Sequence, residues 1–299
     1  SDPDVDLRLT GKLDLGDLRK TVKLASVKEL TGKIDADVAV RTRMSYVDKK
    51  QYDQIAARGN LGVRDLTLKS ADIPRDVAVR EASLQISPQR ADLRSLSAQI
   101  GSSDMHLSGS VENLLPFALR GDPLRGNATF VSQRFNLDEW KSDDSLTIIH
   151  VPGNIDFGLQ ATVGELIYGK LKMTNARGGL RVKDKRATLD NFAMNMLGGS
   201  IGVNGFYETV DSLRPTFDAQ VQLKSVDIPS AFAALTTVQM LAPVAKFARG
   251  NVSTDLHLAG ALGKDMMPLF NVLDGKGSLT TSDLVIQGLP LLGKIADAV

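Results

Sequence analysis

The sequence predicts a mainly β fold: a long, strongly curved antiparallel meander with a few short helices. Three observations carry that expectation. Apolar and polar residues alternate in segment after segment, glycines bracket many of these segments, and helical periodicity is scarce.

The alternation runs through Leu61, Val63, Leu66 and Leu68; Leu84 and Ile86; Met105 and Leu107; Ile155, Phe157 and Leu159; Leu180 and Val182; Ile201 and Val203; Val221 and Leu223; and Leu256 and Leu258. A period of two sends successive side chains to opposite faces, so each segment reads as a strand with one dry and one wet side. These nineteen apolar positions are the candidates for a continuous lining.

Glycine punctuation is the second signal. It brackets Gly101–Gly109, Gly198–Gly205 and Gly250–Gly260, as suits tight reversals and bulges that need positive φ. A loose cassette also recurs: Leu68-Lys-Ser-Ala-Asp-Ile-Pro74 returns 155 positions later as Leu223-Lys-Ser-Val-Asp-Ile-Pro229. Related versions run from Leu9 to Leu18 and from Val131 to Trp140, and three of the four lead into an expected helix.

Helical patterns are few. Ser230 is placed to cap a helix carrying Phe232, Leu235, Val238 and Leu241, broken at Pro243; Asp17 is placed to open a shorter one with Leu18 and Val22; Pro268 and Pro290 suit first-turn positions. A doubly wound α/β fold needs a helix after nearly every strand, and the sequence does not supply them.

Composition sets the remaining bounds. The 299 residues are 42% hydrophobic, enough for one large all-β unit, and the repeats read as a single unit over 1–299. With 36 basic against 35 acidic residues spread along the chain, no basic face offers itself to a phosphate backbone, so nucleic acid is not an expected partner. Cysteine is absent, which excludes disulfides and thiolate metal sites. Every apolar run falls short of the roughly 18 residues that cross a bilayer. The first ten residues lack a signal layout, and the chain opens on an alternating segment (Val5, Leu7, Leu9) and closes on an amphipathic one (Leu291, Leu292, Ile295, Val299). Any membrane anchor is therefore expected outside it.

Strands written as Gly32-Lys-Ile-Asp-Ala-Asp-Val38, Gly59-Asn-Leu-Gly-Val-Arg-Asp-Leu-Thr-Leu68, Arg249-Gly-Asn-Val-Ser-Thr-Asp-Leu256 and Gly275-Lys-Gly-Ser-Leu-Thr-Thr-Ser-Asp-Leu284 resemble the repeats of the AsmA-like family of Gram-negative envelope proteins, relatives of TamB. The resemblance covers essentially the whole chain and is one of repeat style. It implies a periplasmic sheet folded lengthwise into an elongated, taco-like groove, and an inner-membrane anchor outside this segment. It also implies a part in moving phospholipids toward the outer membrane, and brings no catalytic residues or cofactors.

A physical argument runs beside it. Roughly eighteen strands at a spacing of ~4.8 Å extend ~85 Å, more than the few helices can cover. Exposed apolar surface costs about 25 cal/mol per Å², so the sheet either packs on itself as a sandwich or is filled by something apolar. Aromatics are only 5%, and an aliphatic lining suits acyl chains, which need dispersion contact without specific stacking. Phospholipid handling is the first functional expectation. Assembly of outer-membrane proteins through strand edges is the second, and a compact β-repeat adhesin or accessory module the third.

Chemical motifs are weak. Gly198-Gly-Ser-Ile-Gly202 matches the G-x-S-x-G elbow, but the alternation continues where a helix should follow. His106 and His257 sit between apolar neighbours and so point to the wet face, without the companions a metal needs. Asp35 with Asp37 share a polar strand face, and Asp143 with Asp144 sit in a turn-like stretch, so solvation is the default for both pairs. Gly263-Lys264 lacks the spacing of a phosphate loop. Trp140 and Phe135 read as anchors of a helix on the sheet end. No enzymatic activity is expected.

Overall fold

The computed structural model describes residues 2–21, 26–71, 75–140, 148–235, 238–239 and 242–287. Fourteen strands follow one another in a single open sheet whose spatial order is the order of the chain. They are β1 (Asp4–Asp14), β2 (Val27–Arg43), β3 (Ala56–Ser70), β4 (Val77–Ile86), β5 (Arg90–Ile100), β6 (Ser103–Glu112), β7 (Leu124–Asn136), β8 (Ile155–Tyr168), β9 (Leu171–Lys183), β10 (Arg186–Met196), β11 (Gly199–Glu208), β12 (Thr216–Asp227), β13 (Ala248–Ala261) and β14 (Asp274–Ile286). The helices are short: α1 (Leu15–Thr21), α2 (Met44–Asp48), α3 (Leu114–Arg120) and α4 (Ile228–Ala234). The count is fourteen rather than eighteen because the strands are long, with β2 reaching 17 residues.

Twelve of the thirteen strand pairings are antiparallel. The exception joins β7 to β8 in parallel, with Leu124 opposite Ile155 and Asn136 opposite Ile167. A parallel step needs a crossover rather than a hairpin, and residues 137–154 supply it. Its consequence is directional. If the edge where β1 ends is called the upper edge, then β1, β3, β5 and β7 run upward, and the parallel step makes β8, β10, β12 and β14 run upward as well. The cassettes that end β1, β3, β7 and β12 therefore all arrive at the upper edge; a purely antiparallel meander would have turned the last one over.

Where β7 parts from β6, side chains replace the missing ladder. Asp104 accepts the N–H groups of Gln133 (2.9 Å) and Arg134 (2.7 Å). Ser103, fully buried, accepts the Asn136 N–H at 3.0 Å and donates to Glu139 at 2.8 Å. Beside this junction lies a cluster of buried apolar side chains, where Val163, Leu166, Met173 and Ala176 meet Phe130, Phe135 and Met194. Trp140 stacks on Phe135 at 5.7 Å.

Capping departs from expectation in detail. Asp14, not Asp17, receives the first N–H groups of α1, from Gly16 (2.9 Å) and Asp17 (3.4 Å). In α4 the cap is Asp227, whose carboxylate accepts the Ser230 N–H at 2.8 Å; the helix ends at Ala234 because Leu235 is extended. Pro268 opens no helix: it bridges to Leu262 and precedes a 3-10 turn at Phe270–Val272. The expected positions Val22, Leu241, Asp143, Asp144 and Pro290, and the closing segment from Leu291 to Val299, lie outside the described residues. The helices α2 and α3 carried no signal strong enough to predict them; α3 closes on Gly121 in the left-handed region, with its N–H returned to the Phe117 carbonyl at 2.9 Å.

Among the described residues no second sheet covers this one. The accessible surface is 18934 Å², against about 12,300 Å² for a compact protein of this mass. Only eleven hydrophobic side chains among the described residues are buried. No helix among the described residues is long and apolar enough to cross a membrane.

Candidate functional site: a dry stripe across all fourteen strands

Directly opposed residues in a sheet share a face, so the register can be followed strand by strand. One row crosses the whole sheet: Gly11, Ala36, Leu61, Leu84, Leu93, Gly109, Ala128, Leu159, Leu180, Leu189, Gly205, Ala219, Leu258 and Gly275. None of these side chains carries a charge or a hydrogen-bonding group. A second row beneath it carries Leu9, Val38, Ile86, Val111, Phe157, Val182 and Phe217 on the same face. A third, above it, includes Leu13, Ile34, Val63, Leu96, Leu107 and Phe130, and resumes in the second half as Phe192, Val203, Val221 and Leu256.

All nineteen sequence-predicted lining residues fall on this face. Leu61, Leu84, Leu159, Leu180 and Leu258 belong to the central row; Ile86, Phe157 and Val182 to the row beneath; Val63, Leu107, Val203, Val221 and Leu256 to the row above. Leu66, Leu68, Met105, Ile201 and Leu223 continue it toward the upper edge, and Ile155 toward the lower. Each of the nineteen is half-buried, neither sealed in a core nor fully exposed. Neighbouring side chains shield them, and among the described residues no other layer of the sheet lies above.

Sequence reasoning passed over Leu93, Leu96, Leu189 and Phe192. In both pairs three positions separate the two apolar residues, which breaks the period of two. Two β-bulges restore the phase: Arg94 and Ser95 together oppose one residue of β6, and Asp190 and Asn191 together oppose Asn204. Asn191 takes a φ of 49°, and its N–H is received by the Asn204 side chain at 2.7 Å. The signal was present, as a polar pair between two large apolar residues.

Toward β14 the stripe widens into an open hollow of about 620 Å³. Leu256, Leu258 and Leu279 line it together with Val238 and Ala242. That volume lies within the range of small-molecule sites.

The opposite face is laced with exposed ion pairs across neighbouring strands: Arg8 with Asp37 at 3.1 Å, Lys12 with Asp35 at 3.6 Å, Arg41 with Asp6 at 2.8 Å and Arg186 with Glu208 at 2.7 Å. Asp35 and Asp37 of β2 thus each pair with a cation of β1. The Asp37 carboxyl is held below its ordinary pKa by its hydrogen bonds from Arg8 and Thr10. His257 faces Asp218 at 2.9 Å, and His106 lies 4.0 Å from Asp104. Among the described residues no group of three His, Asp or Glu is placed to hold a metal. The segment Gly198 to Gly202 is a hairpin rather than a strand-to-helix elbow. Leu197 and Gly198 have φ of 51° and 78°, as a two-residue type I′ turn requires, and β11 continues directly.

No family model, no curated protein and no solved structure matches the chain.

Proposed function

We propose that the dry face binds phospholipid acyl chains and lets them move along the sheet, in a non-catalytic, periplasmic segment of an AsmA-like envelope protein. The observation that supports this most strongly is the central row, fourteen positions without a single polar side chain. The row runs perpendicular to the strands, a path of about 62 Å at ~4.8 Å per strand step. An acyl chain lying on it gains about 25 cal/mol for each Å² of apolar surface removed from water. With no charge or hydrogen bond to fix a register along the row, neighbouring positions are close in energy. That is the condition for sliding rather than trapping. In the full protein the segment is held to the inner membrane by an anchor outside this chain, and it helps to maintain the outer membrane.

Organic extraction of the purified chain followed by lipid mass spectrometry is expected to recover phospholipid. A lipid-free protein that also fails to take up a fluorescent phospholipid would overturn the reading.

A second reading has one observation in its favour. Both edge strands, β1 and β14, are exposed along almost their whole length, and an exposed strand edge is a template for another chain. On that reading the chain is an assembly factor for outer-membrane β-barrel proteins. Crosslinks from edge residues to such clients, with none to lipid, are its mark.

A further inference from the structure

Five of the connections at the lower edge present large apolar side chains to water. Met44 of α2, Leu119 of α3, Ile149 ahead of β8, Leu213 between β11 and β12, and Phe270 between β13 and β14 are exposed by between 47% and 70%. One exposed leucine is ordinary on a protein surface. Five tips follow one another along one edge, from the β2–β3 connection to the β13–β14 connection, a path of about 53 Å measured along the edge at ~4.8 Å per strand. None of the five belongs to the dry stripe.

We propose that this edge is a bilayer-contacting surface, whose five tips seat their apolar side chains at the headgroup–acyl boundary of a phospholipid membrane lying across the strand ends. This goes beyond the lipid-binding reading of the sheet face and does not require the stripe to be occupied.

Three observations favour a membrane plane over a protein partner. The apolar groups form a row of separate tips, which a flat, deformable surface can meet together, rather than the compact patch that a protein interface needs for its core. Charges on the tips balance locally: Arg120 is paired with Asp122 and lies 3.8 Å from Asp53, Asp184 precedes Lys185, and Asp265 follows Lys264. The attraction is therefore apolar and suits a zwitterionic surface. Finally, several backbone N–H groups of these connections are received within the protein, which lowers the cost of placing them where water thins out. The Leu124 N–H goes to the Asn154 carbonyl (2.9 Å), Arg214 to Asp211 (3.3 Å), Gly263 to Met267 (2.8 Å) and Val272 to Leu269 (3.0 Å).

The chain supplies its own control. Its single tryptophan, Trp140, stands at the upper edge, a β7 length of about 43 Å from the lower one. The test uses phosphatidylcholine vesicles carrying lipids brominated along the acyl chain. The doubly substituted W140F/F270W chain, with its one tryptophan at the lower edge, is expected to blue-shift and be quenched at a depth of about 5–10 Å. Trp140 in the natural sequence stays unquenched while the protein floats with the vesicles. Replacing Phe270 with Ser lowers partitioning roughly tenfold, and raising the salt leaves it unchanged. L159R, which places a charge in the stripe, still binds vesicles, so failure of this inference and failure of the lipid-binding reading are separable. The proposal is overturned by absence of flotation, by equal quenching at the two edges, or by a Phe270-dependent dimer in vesicle-free solution that abolishes binding.

Discussion

At the junction of β6 and β7, Asp104 holds two backbone N–H groups that would otherwise lie at the end of a broken ladder. Burial pushes its carboxyl pKa up, but the bonds from Gln133, Arg134 and Ser132 outweigh burial and leave it below the ordinary carboxylate value. A carboxyl lowered in the folded state contributes stability above its unfolded pKa and loses it as pH falls through the folded one. D104A is therefore expected to cost about 2 kcal/mol in neutral urea unfolding. The gap between the two proteins should narrow in acid; a gap independent of pH would count against the assignment. On the dry face, Leu159 sits between Ala128 and Leu180. L159R should keep the circular dichroism of the natural chain, since the site is half-buried and the long side chain can reach water, but should lower bound phospholipid about tenfold. Unchanged lipid content would show that the central row is not the path.

The bulges are the element on which the dry face depends. If Asp190 and Asn191 are both deleted, Phe192 follows Leu189 directly and falls opposite Asn204, and Phe192, Met194 and Met196 rotate to the wet side. The deletion is expected to open β9–β12 to limited proteolysis while β1–β6 remain protected; a protease pattern like that of the natural chain would mean that another residue absorbs the slip. The same elements mark the limit of what the sequence makes legible. Strands with unbroken alternation, such as Ile155–Leu159 and Val221–Leu223, could be read directly, because a period of two is a local property. Leu93 with Leu96 and Leu189 with Phe192 could not, since the phase change belongs to the pairing of two strands. The parallel step was hidden for the same reason. Its one trace is the long stretch between Asn136 and Ile155, and the cassette ending at Trp140 looked like its three counterparts. Helix caps were missed by three residues where two candidate caps compete, as Asp14 and Asp17 do.

For the molecule as a whole, burial is the informative quantity. The sequence favoured an open groove over a sandwich but left the second open on the apolar pattern, since alternation reports a dry face and not what covers it. The choice between them is made by long-range geometry, here one sheet of fourteen strands with no second sheet above it among the described residues. Small-angle scattering should accordingly give a radius of gyration well above the ~19 Å of a compact 299-residue protein; a value near that figure would mean that the sheet folds onto itself in solution. The most direct test of the lipid path is photocrosslinking from within it. A photoreactive amino acid is placed singly at Leu84, Leu159 and Leu258 along the central row, and at Thr10 and Arg181 on the wet face, in cells of a Gram-negative host. The account predicts phospholipid adducts at all three stripe positions and none at the other two. Adducts that are absent from the stripe, or equally frequent on both faces, would contradict it.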